Sequence, residues 1–275
     1  FLRASLVDAE RHFGYAHALL DLREADALVD SEVLATQKGL SLNYDGLTAH
    51  VKRSEMLGEK LGRPPEFLSA PDYIASRDAA AELRQALATK SSLVDLYKRK
   101  QAILKNSITY FPVAARMALD EEASLRLPDA RGRLNRYVRE LAVFAQNGDT
   151  RRLERLRQSR LGLEQVRVGR EDGALIEGLL LHGNLIERTF PEVDRLVREI
   201  LGNHIRTRFE ALTATYDAGY NRANLAAARY RFALFAAALL VTAYLAYLFQ
   251  GLVRARDSLA VAHRELGERY AAQLE

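Results

Sequence analysis

The chain has 275 residues, 48% of them hydrophobic and 28% charged, with a formal net charge of +4 and a pI near 9.3. That balance excludes a disordered chain, and the absence of cysteine excludes a disulfide framework, a thiolate metal site and a catalytic thiol. The arginines are interleaved with acids, as in RRLERLRQSR from Arg151 to Arg160, and no reading motif accompanies them, so the basic charge reads as solvated helix surface and no nucleic-acid partner is expected.

Only 6 prolines and 16 glycines interrupt a sequence rich in Ala, Leu, Arg and Glu, strong helix formers, and the expected class is all-α. The first pattern, running to about Leu42, places Leu2, Leu6, Ala9, Phe13, Ala16 and Leu20 at steps of three and four on one helix face. NYDG, from Asn43 to Gly46, then breaks the chain, with Asp45 placed to cap a second helix. That helix carries Leu47, Val51, Ser54, Leu57 and Leu61 on one face and stops at Gly62, before Pro64 and Pro65.

A third pattern begins around Ala75 and continues without Gly or Pro to Phe111. Its far end shows two seams. Val94, Tyr97, Gln101, Leu104, Ile108 and Phe111 form one, and Ile103, Asn106, Tyr110 and Val113 form the other. Two seams predict two neighbours and put this helix inside a bundle. After a loop near Leu127 and Pro128, an amphipathic helix with Leu134, Tyr137, Val138, Leu141 and Phe144 is expected to stop at Asn147-Gly148. A short basic segment leads to REDG at Gly173. The last pattern runs through Leu175, Leu179, His182, Ile186, Val193, Val197 and Ile200. With no proline after Pro191, a nearly continuous helix is expected to leave the bundle and cross a membrane.

Phe232 to Phe249 has no charge and only Thr242 as a polar side chain; extended through Val253, it reaches the roughly 20 apolar residues that span a hydrocarbon core. A buried core helix of this length would show a polar face, and this one shows none. Arg222, Arg229 and Arg231 precede the span and Arg254, Arg256, Arg264 and Arg269 follow it, a slight excess that favours a cytoplasmic C-terminus. The chain opens on FLRASL without an initiator Met, which predicts an earlier membrane anchor upstream. Beyond the span, Leu252, Ala255, Leu259, Ala262 and Leu266 repeat at heptad spacing before Tyr270 and Leu274 step by four. The pattern predicts a parallel coiled coil in a dimer, with a lone juxtamembrane amphipathic helix as the alternative.

NSITYFPVAARMAL, from Asn106 to Leu119, departs from a plain packing helix. Pro112 removes a helix hydrogen bond and collides with the carbonyl of Ile108, which predicts a kink or a restart. Asn106 and Gln101 sit on the two seams, where an amide without partners costs about 1 to 3 kcal/mol. Two readings follow. In one, Asn106, Gln101 and Tyr110 satisfy each other or the opened backbone. In the other, the kink opens a ligand pocket with ring faces from Tyr97, Tyr110 and Phe111 and polar groups from Gln101, Asn106 and Ser107. The stretch is echoed by NLIERTFPEVDRLVREIL, from Asn184 to Leu201, again with an Asn, an Ile, a Phe-Pro step and an apolar tail, which suggests two related helical modules.

Leu22 to Leu57 together with Lys100 to Leu119 resembles the double all-helical ligand-binding domain, DAHL, found outside the membrane in VirA-like sensor histidine kinases. The resemblance covers most of residues 1–220. Its most specific parts are the Tyr44-Asp45 turn and the run from Asn106-Ser107 to Tyr110-Phe111-Pro112, and the residues from Arg254 onward resemble the signalling coiled coil of such sensors. The resemblance implies an elongated bundle of two stacked modules continuing into a transmembrane helix and coiled coil, in a homodimer of the bacterial inner membrane with its sensor in the periplasm. The implied partner is a small-molecule ligand or a periplasmic binding protein.

No Gly-rich phosphate loop and no His-Glu-x-x-His occurs, so neither cofactor nor metal ligands are assigned. His182 and His204 fall on an apolar seam and read as core residues. AHRELGERY around His263 lacks the proline that follows a phosphoacceptor box and reads as coiled-coil surface. The expected organisation is an extracytoplasmic all-helical sensor over 1–228, a transmembrane helix over 229–253 and the start of a cytoplasmic coiled coil over 254–275. The expected function is the sensing part of a histidine kinase, with no catalytic domain of its own. The alternatives are the sensor of a chemoreceptor or cyclic-dinucleotide synthase, and a membrane-anchored scaffold that binds a protein partner.

Overall fold

The structure, a computed structural model, describes residues 8–41, 43–120, 128–165, 170–202 and 205–272. These form seven α-helices and one 3-10 turn, and no strand occurs among the described residues. In chain order the helices are α1 (Ala9–Gln37), α2 (Asp45–Leu61), α3 (Ala70–Asp120), α4 (Pro128–Asn147), α5 (Leu153–Glu164), α6 (Arg170–Leu201) and α7 (Ile205–Ala272).

Local chemistry accounts for the boundaries. Asp8 caps α1 by accepting from the Arg11 N–H at 3.2 Å, and Gly39, with φ of +72°, turns the chain out of its far end. Tyr44, without a side-chain cap, opens α2, and Asp45 instead sits in the first turn, where its charge suits the helix dipole. The Ser69 hydroxyl accepts from the Asp72 N–H (3.4 Å) and donates to its carboxylate (2.7 Å), which holds the first turn of α3. Gly148, at φ of +62°, follows α4 as the sequence predicts.

At 51 residues, α3 is about 76 Å long and is shared by two modules. The first half of α3 packs with α1, α2 and the start of α7 around Leu19, Leu22, Leu61, Leu83, Leu212 and Tyr216. Its second half packs with α4, α5 and α6 around Tyr137, Leu141, Phe144, Leu156, Leu179 and Ile186, and this core continues to Val29, Val33 and Leu47 at the top of α1 and α2. The most extensive helix pair is α3 with α6. The fold is thus an elongated all-α bundle of two stacked modules, and α7 leaves it as one helix of 68 residues.

Several expectations need correction. On α1 the buried face is Tyr15, Ala18, Leu19, Leu22, Ala25, Val29 and Val33, whereas Phe13 (60%) and Leu20 (61%) of the expected face are exposed. The first seam of α3 is internal, but the second faces outward: Ile103, Tyr110 and Val113 are 44%, 59% and 55% exposed and Asn106 is exposed with them. The helix passes through Pro112 without ending, and α6 likewise passes through Pro191. The expected continuous run after Pro191 is divided at Gly202, and Gly173 of REDG lies inside α6. The basic segment Leu153–Glu164 forms α5. His182 is half-buried and stacks on Tyr110 with ring centroids 6.0 Å apart. Leu2, Leu6, Leu42, Leu127, His204 and Leu274 lie outside the described residues, as do the side chains of Leu175, Leu266 and Tyr270.

Candidate ligand-binding site

Where the two modules meet, a cleft of about 620 Å³ opens between the end of α1, the α1–α2 turn, the middle of α3, the end of α4 and α6. Its wall is apolar at Leu104, Ile108, Phe190 and Val193, and polar at Gln101, Tyr44, Ser41 and Gln146. A second groove of about 530 Å³ shares Ile108, Ala145 and Gln146 with the cleft and continues along α3 and α4 past Phe111 and Pro112. The glycine at the end of α4 shapes this region. A Cβ on Gly148 would come within 2.3 Å of the Phe190 ring, so only glycine lets that ring sit against the turn, 5.4 Å from Phe144.

Behind the cleft lies a polar lattice that fixes Gln101. The buried Tyr97 hydroxyl donates to the Val33 carbonyl at 3.2 Å and lies 2.9 Å from the Thr36 hydroxyl. Burial pushes its pKa up to about 12, so it stays a neutral donor. The Gln101 Nε2 donates to the Thr36 carbonyl at 3.4 Å. Its Oε1 is buried without a partner. Tyr44, half-buried at the rim, also has its pKa raised by burial and keeps its proton.

The six sequence-predicted residues therefore separate into two groups. Tyr97, Gln101, Ser107 and Phe111 are buried; Gln101 borders the cleft and Phe111 the groove beyond it. Asn106 and Tyr110 face outward on the other side of α3. Lys38, Tyr44, Gln146 and Phe190 border the cleft without having been expected there. Two of them had a visible signal: Tyr44 sits in the NYDG break and Phe190 in the second Phe-Pro step, but nothing in the spacing joins those segments to Gln101.

The lining brings amide and hydroxyl groups beside an apolar wall, groups suited to holding a small molecule. At the opposite end of the bundle, His12, Tyr15, Tyr216 and Tyr220 clasp α1 to α7. His12 Nδ1 lies 2.9 Å from the Tyr216 hydroxyl and its ring stacks on Tyr220 at 3.8 Å. Past Ala227 the helix is exposed, and it contains an 18-residue window of mean hydropathy 2.2 with no part buried, long and apolar enough to cross a membrane.

Among known families, the DAHL domain matches residues 7–231 of this chain. No curated protein and no solved structure matches it.

Proposed function

The chain belongs to the DAHL domain family, a sensor domain, and from that premise we propose that it is the ligand-sensing and membrane-crossing part of a two-component sensor histidine kinase, with residues 1–228 in the periplasm of a bacterial cell and the end of α7 in the cytoplasm. The observation that carries this reading is α7 itself. Its first turns are core residues of the sensor, with Ile205, Leu212 and Tyr216 buried, and the same unbroken helix becomes apolar and exposed beyond Ala227. Any change in module packing is transmitted along a rigid rod.

Two copies stand side by side in this reading. The outward stripe of α3 supports it: Ile103, Asn106, Tyr110, Val113 and Met117 follow strict steps of three and four, the spacing by which one helix packs on another. An Asn at one such position is self-complementary across a two-fold axis, and it fixes register at some expense in stability. A small ligand between the modules shifts the bundle in proportion to its differential affinity for the two packings.

The test needs no ligand. With the chain joined at Glu275 to a histidine kinase core, inserting one alanine between Ala227 and Ala228 rotates everything downstream by about 100°. Inserting seven residues restores the phase to within about 20°. Kinase output is expected to change with the first insertion and to return with the second. Output indifferent to phase would exclude α7 as the signalling element.

A further inference from the structure

A further cavity, of about 340 Å³, lies where α6 gives way to α7 and opens between α1, α3 and the first turns of α7. We infer that it takes a free α-amino acid with an apolar side chain, its ammonium group on Asp30 and its carboxylate on Arg23; this deepens the sensing role proposed above and rests on it.

The charges on the lining do not cancel in place. Lys90 of α3 is buried, with its Nζ 2.6 Å from Asp26 and 2.7 Å from Asp30 of α1. One lysine thus serves two carboxylates. Asp30 Oδ1 is buried against that lysine, whereas Oδ2 keeps exposed surface and accepts no hydrogen bond among the described residues. Burial pushes the Asp30 carboxyl above its ordinary value in spite of Lys90, and the charge of Asp26 adds to the effect, so this carboxylate gains from a second cation. On α7, Arg206 and Glu210 answer each other at 2.9 Å. Arg23 is left over: it is exposed on the same lining and forms no ion pair among the described residues.

Spacing keeps the two unanswered charges apart. Arg23 and Asp30 lie two turns apart on one face of α1, about 10 Å along its axis. Side chains on a helix pair at three or four residues, not at seven. A molecule with an ammonium and a carboxylate on one carbon fills the gap, and neither a simple anion nor a simple cation answers both ends. The apolar body follows from the remaining wall of Leu22, Leu201, Ile205 and Phe209. Ligand sites run from about 300 to 1,000 Å³, and this one, at the lower end, suits a single amino acid better than a peptide. Its position also couples it to output. Leu201 ends α6 and Ile205 begins α7, so an occupant touches both sides of the break at Gly202. The cleft at Gln101 and the groove beyond it have no α7 residue on their linings.

Three matched probes separate the contributions: L-leucine carries both charges, 4-methylpentanoate lacks the amine, and 3-methylbutan-1-amine lacks the carboxylate. Titration calorimetry on the whole chain in lipid nanodiscs is expected to show leucine binding about ten-fold or more tightly than either analogue. Asp30→Asn, which leaves Lys90 paired with Asp26, should bring leucine down to the affinity of 4-methylpentanoate. Arg23→Gln removes an exposed side chain with no ion pair to lose, and should bring leucine down to the affinity of the amine with an unchanged thermal midpoint. Equal binding of the three probes, failure of both L-leucine and L-phenylalanine to bind, or leucine affinity unmoved in the two variants overturns the assignment. Such a failure is distinct from a failure of the sensing role, which the phase of the α7 insertions reads without any ligand.

Discussion

Asp72 joins the base of the bundle to the helix that leaves it. Its carboxylate accepts from Arg222 Nε at 3.1 Å and from the Ser69 hydroxyl at 2.7 Å, so one side chain braces the Ser69 cap of α3 and clasps α7. Arg222 and then Ser69 hold this carboxyl below the usual range. The unfolded chain therefore binds this proton at a higher pH than the native one, and the contribution is present above the ordinary aspartate value near 3.9 and is lost as pH falls below it. Asp72→Ala is expected to lower stability by about 1 kcal/mol at neutral pH, the usual net worth of a hydrogen bond, because the Ser69 cap on the backbone N–H of residue 72 is kept. In urea unfolding the gap between wild type and variant should close as pH falls below about 4; a gap constant with pH would mean that the loss is one of packing. The cap was open to sequence reading in principle, because Ser69 and Asp72 stand three residues apart. The clasp was not, since Arg222 lies 150 residues further on.

At the scale of elements, α4 and α6 meet through a glycine. A Cβ on Gly183 would fall 1.8 Å from the Tyr137 hydroxyl and 2.8 Å from its ring, and Tyr137 is fully buried with its hydroxyl donating to Glu187 at 3.3 Å. Gly183→Ala must therefore displace a ring that has nowhere to go and separate it from a buried carboxylate, at about 1 to 3 kcal/mol. Gly178→Ala on the same helix meets nothing within 4 Å and should gain up to about 1 kcal/mol of helix propensity. Thermal midpoints that move in opposite directions for the two variants would bear this out; two equal shifts would not. The α4 seam of Leu134, Tyr137, Leu141 and Phe144 was legible because its opposite face is strongly polar. The seam of α1 was not: this helix has apolar residues on two sides, Phe13 and Leu20 as well as Leu19 and Leu22, and periodicity cannot choose between them. The second α3 seam was legible as a stripe, but it faces mostly outward, with Tyr110 at its edge stacked on His182 of α6. Of the cleft, the α3 wall of Gln101, Leu104 and Ile108 was legible as one seam, but its assembly was not, because the other walls come from segments up to about 90 residues away, brought together by the stacking of modules.

For the whole molecule, the proposed dimer imposes one geometric condition on two distant surfaces. The α3 stripe and the exposed Leu252, Ala255, Leu259 and Ala262 of α7 must face the same two-fold axis, since both copies enter one membrane in one direction. A chain with no cysteine makes the condition measurable, because any introduced thiol is the only one present. Asn106→Cys and Leu259→Cys are each expected to cross-link copies in native membranes under mild oxidation, since a disulfide needs Cα atoms within about 7 Å. Asp257→Cys, off the α7 seam, should link far less. If Leu259→Cys links and Asn106→Cys does not, the copies are joined at the membrane and beyond it, and the apolar stripe of α3 is open to a protein partner outside the membrane. If Asn106→Cys links as well, the lone amide on that stripe marks the register of the dimer. The cleft behind Gln101, on the other side of α3, then lies on the outer flank of each copy, open to ligand while the sensors are paired.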